Sequence, residues 1–229
     1  MPTLPPPVRA HHRFWPARLP HAITPPATSL WANLDISARR YPDKAALVFF
    51  GRVFTYAALR DAAEALAGWL AAHGVRAGDR VVLCMQNCPQ LVIAHFAILR
   101  ANAVVVPVNP MNRAEELKHY IRDPDARLAI TTADLAAELA AASAALPEAE
   151  RLHHLLVTRF TDAFDPADPA ADALPAAWQP WLLGEHPLPA LMGGAVHRWA
   201  DALAAGHDAP PHTAGPADLS VLPYTSGTT

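Results

Sequence analysis

The chain has 229 residues, of which 52% are hydrophobic and 17% charged, a balance that supports one large or two small domains with a sizeable core and excludes a disordered polymer. Lys and Arg total 18 against 21 Asp and Glu, leaving a formal charge of −3 with no basic run, which removes the electrostatic argument for nucleic-acid binding. Cys84 and Cys88 are the two cysteines; they make no disulfide framework, suit a reducing compartment and read as buried, inert thiols.

Residues 1–28 form a Pro-rich arm, expected to lie extended on the surface with His11, His12 and His21 solvated. Its prolines interrupt any apolar stretch, so no secretory signal is expected. Ser29 opens a helix carrying Leu30 and Leu34 that ends near Arg39-Arg40. Ala45 to Phe50, a Gly51-Arg52 turn and Val53-Phe54 then read as a hairpin. Thr55 is predicted to cap the next helix, where Leu59, Ala63, Leu66 and Leu70 recur at helical spacing until His73-Gly74 stops it.

Gly78-Asp79-Arg80 turns the chain into a strand over Val81 to Met85, and Asn87-Cys88-Pro89 starts a helix through Leu99. A strand Val104 to Val108 follows, and Asn112 with Glu115 predicts a capping-box start for a helix bearing Leu117, Tyr120 and Ile121. The window Leu91 to Val108 is the most apolar, but His95, Arg100, Asn102 and Pro107 within it indicate a helix and a strand rather than a membrane span. A strand Arg127 to Thr131, an Ala-rich helix Leu135 to Leu146 and a strand Leu152 to Val157 complete the repeat. Such alternation predicts an α/β class with a helix-flanked, largely parallel sheet over residues 29–159. A soluble, cytoplasmic protein without a transmembrane segment is expected; peripheral membrane contact and the oligomeric state are left open.

From 160 to 217 the texture becomes a Pro/Ala-rich excursion holding nine of the 24 prolines together with Trp178, Trp181 and Trp199, with one short helix predicted from Val196 to Ala204. Residues 218–229 return as a short apolar strand, Leu219 to Leu222, and end in Pro223-Tyr224-Thr225-Ser226-Gly227-Thr228-Thr229. Hydroxyls clustered about a glycine can direct several O–H and backbone N–H donors at one anion. A Ser/Thr-rich polar turn is the alternative reading. The Walker spacing of Gly, four residues, then Gly-Lys-Ser/Thr occurs nowhere, which sets aside kinase-like and GTPase-like phosphate loops.

The string Tyr224-Thr225-Ser226-Gly227-Thr228-Thr229 resembles the phosphate-loop signature of the adenylate-forming enzymes, the family of acyl-CoA synthetases, luciferases and peptide-synthetase adenylation domains. In that family it continues into Gly, a variable residue, Pro and Lys, positions beyond Thr229. Tyr41-Pro42-Asp43-Lys44-Ala45-Ala46, Phe54-Thr55-Tyr56-Ala57-Ala58-Leu59, Gly74 to Val81, Val106-Pro107-Val108-Asn109-Pro110 and Asp218 to Tyr224 resemble further family stretches in the family's order. The arm Phe14-Trp15-Pro16 with Leu19-Pro20-His21, and Trp178 to Leu182, look most like medium- or long-chain fatty acyl-CoA ligases.

The resemblance implies the N-terminal part of the family's large domain, C-terminally truncated. It further implies a reaction in which a fatty acid carboxylate attacks the α-phosphorus of ATP with Mg2+ bound, pyrophosphate leaves, and the thiol of CoA takes the acyl group. By the motif match Thr225, Ser226, Gly227, Thr228 and Thr229 would contact the β- and γ-phosphates. No catalytic acid or base and no metal ligand is assigned, and His95 and His119 read as helical packing or surface histidines. The expected partners are therefore fatty acid, ATP and CoA, and the 229 residues alone are expected to be inactive. A truncated, non-catalytic interaction module, or a ligase for another carboxylic acid, are the alternatives.

Overall fold

The computed structural model describes residues 10–22, 26–167 and 174–224. In chain order the elements are α1 (Trp31–Arg40), β1 (Ala45–Phe49), β2 (Arg52–Thr55), α2 (Tyr56–Ala72), β3 (Arg80–Cys84), α3 (Pro89–Arg100), β4 (Val104–Pro107), α4 (Ala114–Arg122), β5 (Leu128–Thr132), α5 (Ala136–Ala144), β6 (His154–Thr158), α6 (Gln179–Leu182), β7 (Ala195–Arg198) and α7 (Trp199–Ala204). Five strands make one sheet in the order β4-β3-β5-β6-β7, and every pairing within it is parallel. The α/β class and the parallel, helix-flanked sheet expected from the sequence are both present.

Both faces of this sheet are covered, and the alternation of side chains along each strand sorts the core into two halves. Val81, Leu83, Val105, Leu128, Ile130 and Leu156 pack with α1, α2 and α3 through Leu34, Leu66, Ile93 and Ile98. Val82, Cys84, Val106, Ala129, Leu155 and Val157 face the other way, onto Leu117 and Ile121 of α4 and Leu139 of α5. Because both faces are buried, the strands read as continuous apolar runs rather than alternating ones. Thr55 caps α2 as predicted, its Oγ1 accepting from the Ala58 N–H at 3.2 Å. In the β1–β2 hairpin, Phe50 and Gly51 both take left-handed backbone angles, φ 46° and 81°, the paired positive φ that a tight two-residue turn between twisted strands requires.

Three local expectations are corrected. Helix α4 starts one residue later than predicted: Glu116, not Glu115, accepts from the N–H three residues before it, that of Arg113, at 2.9 Å. The Ala114 N–H is instead satisfied by Glu138 of α5 at 3.0 Å, so one part-buried amide of the helix start is closed by a neighbouring helix rather than by Asn112. The segment predicted as one helix from Val196 divides, because its first residues pair with β6 and extend the sheet before α7 begins. The arm is not simply extended: Ala10–Phe14 is a 3-10 turn, and His12 stacks on His21 at 4.4 Å.

Candidate nucleotide-binding site

The segment leading to the hydroxyl-rich string joins the sheet beside β4. Val221 bridges Val105 in parallel, with the Val105 N–H donating to Ser220 O at 2.9 Å and the Leu222 N–H donating to Val105 O at 2.8 Å. Val105 is level with Val81, and Val81 with Leu128, so the added segment begins in register with the sheet and shares its direction. In open parallel sheets ligands bind outside the carboxyl ends of the strands, and the chain beyond Leu222 departs from a strand of that polarity. Thr225, Ser226, Gly227, Thr228 and Thr229, the residues predicted to contact phosphate, lie outside the described residues.

Tyr224 is the last described residue, and its contacts were not foreseen. Its phenol donates to Asp123 Oδ2 at 2.5 Å, and its ring stands edge-on to Tyr120 and His119 at 4.9 and 5.3 Å. Burial, together with the carboxylate that accepts its proton, pushes the phenol well above its ordinary pKa. Tyr224 thus ties the end of the described chain to the last turn of α4. Position 123 carries no sequence signal for this, being an unremarkable Asp before Pro124.

The carboxyl ends of the sheet are polar. Thr131 Oγ1 donates to Cys84 O at 2.7 Å, Gln90 Nε2 donates to Arg159 O at 2.8 Å, and Asp162 accepts from Thr158 Oγ1 at 2.9 Å and from the Arg159 N–H at 2.8 Å. Among the described residues Gln90 Oε1, Thr132 Oγ1, Asp134 Oδ1 and His186 Nε2 are buried with no hydrogen-bond partner. Three of these follow or flank strand ends. Beside them lies an apolar cavity walled by Phe49, Phe50, Phe160, Trp178, Trp181 and Leu182. Trp181 is oriented there by its indole N–H, which donates to Asp134 Oδ2 at 2.7 Å.

The cysteines are buried as expected, and burial pushes their thiols up, Cys84 to about 12 and Cys88 to about 11. Neither is a thiolate near neutral pH, so neither is a nucleophile. His95 lies on α3 with its pKa lowered by burial. A histidine cluster absent from the sequence reading sits at the opposite edge of the sheet. His154 Nδ1 lies 3.1 Å from His197 Nε2, and His73, stacked on Trp69, meets both rings edge-on. No fixed spacing in the sequence relates positions 73, 154 and 197. Among the described residues no three or more His, Cys, Asp or Glu side chains converge as a metal site.

A parallel sheet covered on both faces by helices, with one further parallel bridge beside β4, defines an α/β protein. The profile of the AMP-binding enzyme family matches residues 34–229, and the chain belongs to that family. It is 31% identical over 220 residues, 94% of its length, to a long-chain-fatty-acid–CoA ligase of Escherichia coli O6:H1. It is 37% identical over 117 residues, 51% of its length, to the ligase of that name from Bacillus subtilis. The chain spans 37% of the first relative and 21% of the second. Its fold is similar to the anthranilate CoA ligase AuaEII crystallised with anthranoyl-AMP, with a TM-score of 0.68 at 21% identity, covering 90% of this chain and 34% of that one. No helix among the described residues is long and apolar enough to cross a membrane.

Proposed function

We propose that this chain is the N-terminal part of a fatty acyl-CoA ligase and that Thr225, Ser226, Gly227, Thr228 and Thr229 hold the β- and γ-phosphates of ATP while a fatty acid carboxylate attacks the α-phosphorus. The observation that carries this reading is the parallel pairing of Ser220 to Leu222 with β4, which lays the chain leading to the string alongside the sheet with the sheet's own polarity. Similarity over 94% of the chain to a long-chain-fatty-acid–CoA ligase supports the acyl class. Charge accumulates on the departing pyrophosphate in the first step, and fixed donors around it lower the barrier because they act most strongly in the transition state. Gly227 lets the backbone approach, and the hydroxyls orient the phosphates without adding charge. The acyl-adenylate then passes to the thiol of CoA. Mg2+ would arrive with ATP and offset the charge of its phosphates. Cytoplasmic location and a role in fatty acid metabolism belong to the same proposal.

A ligase for another carboxylic acid is the second reading, favoured by 39% identity over 112 residues to the phosphinothricin tripeptide synthetase PhsC of Streptomyces viridochromogenes. The phosphate-loop assignment is common to both readings. In the ligase containing this chain, Thr225→Ala and Gly227→Val are expected to slow ATP–pyrophosphate exchange about 100-fold, the equivalent of about 3 kcal/mol for one lost donor, and to slow acyl transfer from preformed adenylate far less. Equal loss in both half-reactions, or no loss in either, contradicts the assignment.

A further inference from the structure

Between α7 and the strand added to β4 the chain runs from 205 to 219 without a regular element, yet it must deliver Ser220 to one place on the sheet. Hydrophobic contact gives that place only a partial hold. Val221 packs into the core half under α1 to α3 and Leu222 into the half under α4 and α5. Both side chains are only half-buried, and Leu219 before them is 58% exposed. With one bridged pair and partly exposed side chains, packing holds this segment less firmly than it holds the inner strands. The two backbone hydrogen bonds here both belong to Val105.

What grips the segment is a set of side chains at the C-terminal end of α3. The Asn102 carboxamide binds three consecutive residues: Nδ2 donates to Pro211 O at 2.9 Å, and Oδ1 accepts from the Thr213 and Ala214 N–H groups at 2.7 and 2.9 Å. Two backbone donors on one oxygen fix which way the amide faces. Arg100 Nη1 donates to Pro210 O at 2.5 Å, and His212 Nε2 meets Ser29 Oγ at 2.8 Å. Asn102 itself has φ 62°, a left-handed conformation that Asn tolerates better than most residues. Immediately downstream Asp218 Oδ2 accepts from the Gly215 N–H at 2.7 Å, which shortens the slack between the grip and Ser220.

We propose that Asn102 is a positioning residue: its carboxamide holds the register in which Ser220 to Leu222 joins β4 and thereby the place of Tyr224, the residue next to the hydroxyl-rich string. The functional half of this inference rests on the phosphate-loop reading above; the register half does not. A shift of one residue would move Leu222 and Tyr224 by about 3.3 Å, more than the whole distance window of a hydrogen bond. Neither Asp nor Gly serves as well. Asp keeps the acceptor but loses donation to Pro211 O, and Gly keeps the backbone angle but loses all three bonds.

The test is residue-resolved amide exchange on the 229-residue chain, comparing the native protein with Asn102→Gly and Asn102→Asp. Asn102→Gly is expected to speed exchange at Val105 and Leu222 more than tenfold and Asn102→Asp less, while Val82 and Ile130 in the inner strands change less than twofold. Unchanged protection at Val105 and Leu222 in both variants, or equal loss at the inner strands, overturns the register role. In the ligase containing this chain, Asn102→Asp is expected to raise the KM for ATP about tenfold with the KM for fatty acid within twofold. A matched rise in both, or none, overturns the link from register to loop. If the unsubstituted ligase shows no nucleotide-dependent activity, the phosphate-loop reading fails while the exchange result still decides the register.

Discussion

The sheet with its helices, residues 29–158, and the return segment, residues 205–222, are held by different physics. In the first, side chains of each strand alternate between two buried core halves, and the helices are placed by the same apolar contacts. In the second, backbone carbonyls and N–H groups are gripped one by one by Arg100 and Asn102, and residues 207–208 lie directly against Gly68. Burial is distributed, so a core substitution weakens the whole sheet at once. A chain held by a few polar contacts and one close approach can come loose by itself while the core stays folded. The segment that leads to the proposed phosphate-binding residues is therefore the easier of the two to open locally.

The strongest way to break the first region is at its centre. Ile130 is fully buried in β5, between β3 and β6, and Ile130→Ala is expected to cost about 4 kcal/mol through lost burial plus the cavity left behind. Urea denaturation should show one transition moved to lower concentration for every probe, because the core unfolds as a unit. A cost below about 1 kcal/mol would mean that the two core halves are not close-packed around this strand.

The return segment breaks at Gly68. A Cβ there would stand 2.0 Å from His207 O, a distance that real atoms do not adopt, so either α2 or the segment must move. Gly68→Ala is expected to destabilise the protein by about 2 kcal/mol, despite the better helix propensity of Ala. Amide exchange should rise over 205–214 before it rises at Ile130. Uniform change across the chain would contradict the separation drawn between the two regions.

A smaller effect should appear on acidification, at the sheet edge opposite β4. Burial first, and the neighbouring His73, His197 and His153 second, pull the His154 pKa down to about 4 from its ordinary 6.5. The unfolded chain therefore takes up this proton before the folded one does. The contribution of the neutral ring is complete above about pH 6.5 and is lost as the pH falls toward 4. Solvent reaches this ring, so the loss is expected to be only about 1 kcal/mol. Urea midpoints for the native protein and His154→Gln should converge over that interval, and parallel curves would show that His154 does not carry the dependence.

Much of the first region was legible in the sequence because its signals are local. Thr55 followed by a helical apolar stripe, and repeated strand-helix alternation, report on residues close to one another in the chain. The start of α4 was misplaced by one residue because Glu115 and Glu116 are both plausible caps and only the fold selects between them. Strand β7 was read as helix because Val196 to Arg198 has no strand pattern apart from its pairing with β6. Asn102, Gly68 and the histidine cluster were not recognised as structural or functional groups because their partners lie about 43 to 140 positions away, a separation to which local periodicity is blind. The hydroxyl-rich string was legible as a motif, whereas the link from Tyr224 to Asp123 was not.

The proposed function gives this chain the phosphate loop of a ligase acting on fatty acids. The most direct measurement is ATP–pyrophosphate exchange in the ligase containing this chain, assayed against a series of fatty acids, aryl acids and amino acids. Exchange that depends on a medium- or long-chain fatty acid and falls about 100-fold in Thr225→Ala is the predicted result. Exchange driven instead by an amino or aryl acid would contradict the fatty acid assignment, and exchange indifferent to Thr225→Ala would contradict the phosphate loop itself.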